Sequence, residues 1–315
     1  MSIPFEQFLN VIATIFFLLV VGYIIQKLGI VDDISSNRLS KLIVGIAQPM
    51  LIFSSLIGMD YSPDTAKMGF RMLLVGLGVH AFMALFAFLS CKWIRELDER
   101  KITEFAMLIG NCGFIGFPIF ESIFGDEGLF LGAFFVVSFQ ITLWTWGLMI
   151  LARKRSDIKV KLKQILINKG TVPCAIGIVF FLIGIPLPEF VISGCDYIAD
   201  LCTPISVLIT GALIATKPLK QFFTLPKLYY LSFMKLIVLP LLVCSVMTLL
   251  NFDSDTVIFC TIAAAMPSAA VTTMFGSIYS ISPSYASQSV GFTTLLSVAT
   301  MPIVMLIAPK IIEIL

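Results

Sequence analysis

Ten stretches of this chain are apolar almost from end to end: residues 6–29, 38–59, 66–93, 102–124, 128–152, 171–187, 191–216, 223–250, 255–280 and 284–312. Most reach the twenty or so residues that a helix needs to cross a bilayer. In lipid the backbone has no water to bond to, so each crossing must close its own hydrogen bonds as a helix. The fold class this predicts is an all-α integral membrane protein of about ten transmembrane helices. With 58% hydrophobic and only 13% charged residues, the chain has too little polar surface to cover a water-soluble domain of its 315 residues. Short polar turns separate the runs, such as Val31 to Asn37, Asp60 to Asp64 and Gly125 to Gly128, and each carries helix-capping or helix-stopping residues.

The cations give the bundle a direction. Of the 21 Lys and Arg, 17 fall at or after the ends of odd-numbered runs, three (Lys67, Arg71 and Lys310) fall on the other side, and Lys235 lies inside a run. By the positive-inside rule the crowded side faces the cytoplasm and both termini lie outside the cytoplasmic membrane. The longest charged segment, 153–170, divides the runs into five (1–152) and five (171–315). An odd number of crossings per half makes the halves, if they are repeats, inverted in topology. Within 153–170, Lys alternates with aliphatics (Lys159, Val160, Lys161, Leu162, Lys163), the pattern of an amphipathic connector lying on the inner leaflet. No charged leader precedes the first run.

Several functions are excluded. A net charge of +2 gives no footprint for nucleic acid. The seven cysteines form no CxxC pair and fall mostly inside apolar runs, so they read as small buried hydrophobes, and no metal site is expected. A GxxxxGK[ST] phosphate loop and an HExxH motif are both missing, and the single histidine has no neighbouring partner, which leaves no cofactor and no catalytic constellation.

The chemistry lies in the fourth run, in Gly110-Asn111-Cys112-Gly113-Phe114-Ile115-Gly116-Phe117-Pro118. Three glycines, an amide and a proline predict a helix broken at membrane depth, tolerated only where protein or a cavity satisfies the freed backbone. The ninth run has its own interruption at Ala265-Met266-Pro267-Ser268-Ala269-Ala270. Proline also follows Gln48 in the second run and Thr203 in the seventh. Breaks in corresponding positions of two halves point to a transporter binding site, where half-helix N-termini hold an anion without a buried cation. The predicted cargo is therefore a small carboxylate.

Asn111 is the first candidate ligand, because an amide both donates and accepts; the alternative is that it only satisfies the broken backbone. Gly113, Gly116 and Pro118 shape the same arm, and Pro267, Ser268 and Thr272 shape the other. The hydroxyls of Ser268, Thr272 and Thr273 have a second reading, bonding back to the preceding turn. Gln140, in the middle of the fifth run, is a ligand or interhelical glue. Gln48 and Thr203 either face the site or brace a kink. His80, Glu121, Asp200 and Lys235 are candidates for coupling or gating. For His80 the competing role is a hydrogen-bonded packing residue, and for Lys235 it is pairing with an acid or snorkelling to the surface. Glycines 76, 78, 177, 184 and 211 are expected to allow close helix packing.

Asn111-x4-Gly116-x-Pro118-Ile119 resembles the fourth-span crossover motif of the auxin efflux carrier family. Pro49-x-x-x-Phe53 resembles its second span. Met266-Pro267, Phe275, Tyr279, Pro283, Gly291-Phe292 and Met301-Pro302 resemble its ninth and tenth. The short central segment is similar to the prokaryotic branch. The resemblance implies an NhaA-like fold of the bile acid/sodium symporter-like superfamily, with a scaffold domain (spans 1, 2, 6 and 7) and a transport domain (spans 3–5 and 8–10). It implies that broken helices 4 and 9 cross at their prolines beside a bound carboxylate, and it brings polar fifth-span residues such as Gln140 to that site. The chain departs from the plant pattern at Val271-Thr272-Thr273, where a second proline is replaced. Expected partners are the carboxylate, the lipid bilayer and, from related folds, a second copy in a homodimer. The expected activity is secondary transport of a small organic anion, and the alternative is a membrane-embedded anion receptor or sensor without net transport.

Overall fold

The computed structural model describes residues 4–155, 171–184, 187–216 and 222–315. The expected amphipathic connector therefore lies, from residue 156 onward, outside the described residues. Every element in the described part is helical, apart from one isolated bridge treated below. Seven helical stretches are long and apolar enough to cross a membrane, among them Cys112–Ala152 with 41 residues; Thr171–Ile183 and Ser254–Ala265 are apolar but shorter. The protein is a multi-pass helical membrane protein.

The first three runs start on caps visible in the sequence or follow directly from length. Helix α1 (Phe5–Lys27) runs without interruption for 23 residues. Helix α2 (Asp33–Leu42) begins on Asp32, whose carboxylate accepts the Ser35 N–H at 2.7 Å, and continues through a π turn (Ile43–Ala47) into α3 (Gln48–Ile57). Helix α4 (Pro63–Ser90) begins on Ser62, whose hydroxyl accepts the Thr65 N–H at 3.0 Å.

Helix α5 (Leu97–Leu108) ends in extended backbone at Ile109, and the chain resumes with a π turn (Cys112–Gly116) and α6 (Phe117–Thr142). Inside α6, Gly125 has φ 61° and ψ −145°, which only glycine adopts without strain. A Cβ on Gly132 would touch the rings of both Phe120 and Phe117, and one on Gly128 would collide with the Phe120 carbonyl. Residues that far apart cannot meet on a straight helix at 1.5 Å per residue, so the chain doubles back at Gly125. A π turn (Leu143–Gly147) and α7 (Leu148–Ala152) complete that arm.

The second half comprises α8 (Thr171–Ile183), α9 (Glu189–Asp200) with α10 (Cys202–Ala215), and α11 (Pro226–Phe233) joined through a π turn (Met234–Val238) to α12 (Leu239–Leu249). It ends with α13 (Ser254–Ala265), a non-helical segment, α14 (Val271–Ile278) and the long α15 (Pro283–Ile314).

Three of the four π turns end two residues before a proline: Pro49, Pro118 and Pro240. A proline in a helix lacks a donor and its ring presses on the carbonyl four residues back, which in each case is the central residue of the π turn. Widening the turn relieves that contact without breaking the helix.

Packing uses glycine where backbones approach. Cβ atoms on Gly22 and Gly211 would lie 2.1 Å from the carbonyls of Leu208 and Leu19, so α1 and α10 meet backbone to backbone through reciprocal glycines. Gly76 and Gly177 likewise leave room for Ser138 and Leu56. Gly78 faces open space and Gly184 turns the chain at φ +64°, so these two do not serve the expected packing role. The core between α6 and α13 is phenylalanine-rich, with Phe120 and Phe259 stacked at 4.1 Å.

Candidate functional site

The two interruptions meet. Gly110 and Ser268 form an antiparallel bridge: the Asn111 N–H donates to the Pro267 carbonyl at 2.8 Å and the Ala269 N–H donates to the Ile109 carbonyl at 2.9 Å. Each break supplies the partners the other lost, which is how extended backbone survives at this depth. The crossing passes through Gly110 and Asn111, not through Pro118 as the sequence suggested. Pro118 sits in the first turn of α6, because the π turn at Cys112–Gly116 absorbs its missing donor. Pro267 does lie at the crossing.

Asn111 is 4% exposed, and its side chain makes no capping bond to the helix that follows. The backbone N–H of Asn111 pairs with Pro267, and its side-chain amide makes no hydrogen bond to the crossing among the described residues. Gly113 packs against Gln48: a Cβ there would lie 2.4 Å from Gln48 Nε2 and would displace that amide. Gln48, on the first turn of α3, thus reaches the turn that follows Asn111. A Cβ on Gly116 would lie 3.0 Å from the Phe120 ring, tighter than an ordinary contact. The Thr203 hydroxyl donates to the Phe114 carbonyl at 3.1 Å, the carbonyl that Pro118 leaves without a helical donor. Thr203 therefore braces the kink from α10.

On the second arm, Ser268 is tied down: its hydroxyl donates to the Ala106 carbonyl at 3.0 Å, and its N–H donates to Thr293 Oγ1 at 3.2 Å. Thr272 and Thr273 behave differently. Thr210, Thr248 and Thr261 bond back one turn at 2.7–2.9 Å, whereas the hydroxyls of Thr272 and Thr273 find no partner. Their preceding turn is the break itself, so the expected back-bond has no suitably placed carbonyl. Gln140 is buried in α6, and no hydrogen bond joins it to the crossing among the described residues.

His80 behaves as a packing residue: Nδ1 donates to the Gly76 carbonyl at 2.7 Å, and the ring lies 5.1 Å from Phe135. Lys235 neither pairs nor snorkels. It is fully buried, its Nζ has no hydrogen-bond partner among the described residues, and a Cβ on Gly110 would lie 3.3 Å from that nitrogen. The amine occupies the space that glycine leaves open at the crossing.

Glu121 and Asp200 come together. With Asp126 and Asp196 they line a cleft of about 450 Å³ that also includes Pro118, Thr203 and Ser54, and among the described residues no Lys or Arg lines it. Ser54 donates to Asp196 across the cleft. Asn111 is not among its lining residues.

Sequence reasoning missed an ionic cluster at the other end of α5. Glu104, fully buried, accepts from Arg100 at 2.8 Å and also pairs with Arg153 of the α7 terminus. Lys101 pairs with Asp98 at 3.1 Å, and Lys227 with Glu99. Arg100–Glu104 and Asp98–Lys101 stand at helical spacing and were legible; Arg153 and Lys227 were not.

A multi-pass helical protein with two interrupted helices joined at its centre belongs among membrane transport proteins, and comparison with known families says which. The family described as membrane transport protein matches residues 7–305, and the chain belongs to it; this is the auxin efflux carrier family. An uncharacterized transporter of Methanocaldococcus jannaschii is 24% identical, covering 92% of this chain and 95% of that protein. One from Methanothermobacter thermautotrophicus is 22% identical over 93% and 95%. The uncharacterized transporter YfdV of Escherichia coli is 22% identical over 94% and 96%.

Proposed function

We propose that this chain is a secondary carrier that moves a small organic anion, a mono- or dicarboxylate, across the cytoplasmic membrane by alternating access. The observation that carries the reading is the paired crossing of two broken helices with the uncommitted Asn111 amide beside it. Half-helix N-termini at Cys112 and Val271 add free N–H donors at the same place.

Ten crossings follow if Cys112–Ala152, folded back at Gly125, counts as the end of one span and all of the next, and if the two short apolar helices also cross. Spans 1, 2, 6 and 7 then form a scaffold, and spans 3–5 and 8–10 a transport body, in two inverted five-helix repeats with both termini outside. In this frame the acid-lined cleft opens to the outside between the two bodies, and the ionic cluster ties the transport body together at the cytoplasmic face. The family and the relatives named as transporters favour a carrier over an enzyme.

The test is flux in proteoliposomes against a panel of labelled mono- and dicarboxylates. Asn111→Ala is expected to lower flux of the accepted anion at least tenfold while leaving the thermal unfolding of the purified protein unchanged. Undiminished flux in that variant would remove Asn111 from the site.

A further inference from the structure

The transport reading assigns the anion to the crossing but leaves the charge there unbalanced. Two helices, α5 and α13, end at the crossing with their negative C-termini, and two helical segments begin there with positive N-termini, at Cys112 and Val271. Partial charges of about half a unit at each end cancel to first order. One charge-bearing group remains at the bridge, Lys235.

No acid answers it. Arg71, Arg100, Lys101, Arg153 and Lys227 each have a carboxylate partner, and Lys101 is buried almost as deeply as Lys235, at 1% against 0% exposed. The groups near Lys235 are the Gly110 backbone, the Cys112 thiol and, further off, His80, and the Ala263 carbonyl lies beside the same Gly110. The Ala263 carbonyl already accepts from Cys112 Sγ at 3.6 Å. A lone ammonium at membrane depth is costly to hold, and such residues mark ion or substrate paths. Among the described residues no carboxylate repays that cost, and an anionic cargo at the crossing would.

Resting on the carrier reading, we propose that Lys235 supplies the single positive charge of the cargo site, so that the cargo is a singly charged organic anion such as a monocarboxylate. The loaded crossing then moves as a neutral unit, and the empty one carries one positive charge. A dicarboxylate would leave one negative charge uncompensated. Lys235 acts through the field behind the crossing, beside Gly110, and is a positioning residue with no contact to cargo implied.

The experiment uses the full-length protein in proteoliposomes with potassium and valinomycin to set the potential, and lactate, pyruvate, benzoate, succinate and malate as probes. Wild type is expected to exchange monocarboxylates at least tenfold faster than dicarboxylates, with exchange changing less than twofold across 100 mV. Lys235→Met should lose exchange at least tenfold or make it potential-dependent, up to about fifty-fold per 100 mV for one full charge. Lys235→Arg should keep the insensitivity to potential. Removing an unpartnered buried charge should leave thermal stability equal or higher, and Lys235→Gln serves as the second variant should the methionine variant fail to fold. A Lys235→Met or Lys235→Gln protein that exchanges the same anions at wild-type rate and with no response to potential would overturn the proposal while leaving the carrier reading intact, as would a wild type that prefers dicarboxylates. If wild type carries none of the probes, the carrier reading fails, and thermal shift decides the rest. Stabilisation of wild type but not of Lys235→Met by monocarboxylates would uphold the charge assignment; no stabilisation of either would overturn it too.

Discussion

In the second half of α5, Glu104 is fully enclosed yet holds two arginines, Arg100 and Arg153. Where α6 doubles back, Glu121 shares a cleft with Asp126, Asp196 and Asp200, and among the described residues no cation lines it. The first group joins α5, α7 and α11 into one unit, since Lys227 of α11 reaches Glu99 as well. The second stands on α3, α6, α9 and α10, elements held at that end by Ser54 and Asp196 but by no ion pair. Paired buried charges resist separation, whereas like charges across a cleft favour it. On that contrast the first end is expected to resist separation and the second to open more readily.

The largest effect should come from breaking the paired end. Glu104→Gln leaves Arg100 and Arg153 facing each other without their carboxylate, and breaking a buried pair from one side costs about 3–5 kcal/mol. Thermal unfolding of the purified variant should show that loss. A stability equal to wild type would mean the cluster is no clamp, and the comparison would fall.

At the open end the expectation is the reverse. Glu121→Gln or Asp200→Asn removes one of four like charges, and stability should stay within about 0.5 kcal/mol of wild type or rise. Flux should instead become less sensitive to ionic strength, because an acid-lined approach repels an anion over roughly a Debye length. A destabilisation as large as that of Glu104→Gln would show that these carboxylates also hold the structure together.

The two ends differed in how far the sequence revealed them. Apolar runs made the helices legible, and the Gly-Asn-Pro composition of residues 110–118 made the first break legible. The break falls at the start of that stretch and not at Pro118, where the resemblance put the crossing, because a proline's missing donor can be absorbed by a π turn, as at Pro49, Pro118 and Pro240, and only the backbone shows which way the strain is relieved. For Ser268 the sequence allows a ligand or a bond back to the preceding turn; the fold instead ties it to Ala106 and Thr293, two segments whose proximity exists only there. For Gln48 it allows facing the site or bracing a kink, and its approach to Gly113 depends on how two helices pack. Lys235 was visible as an oddity inside an apolar run. That no acid meets it could not be read from spacing, because every partner for it would come from another helix.

The smallest effect belongs to the one ion pair at the open end among the described residues, Arg71 with Asp253 at 2.5 Å, both about half exposed. Burial works against the Asp253 carboxylate, but the Thr256 N–H and hydroxyl and the Arg71 guanidinium outweigh it and hold the carboxyl below its ordinary 3.8. A group whose acidity is increased by folding contributes stability that is complete above the unfolded value and is lost as the pH falls through the folded one. Exposure and screening keep that contribution under about 1 kcal/mol. Asp253→Asn retains the ability to cap α13, so it isolates the charge from the cap. Wild type should exceed this variant slightly and constantly between pH 7 and pH 5, and the two should converge only as the solution is acidified below the usual carboxylate range. A gap that persists unchanged into acid would assign the difference to packing or capping. The open end would then hold no charge pair that matters, which sharpens its contrast with Glu104.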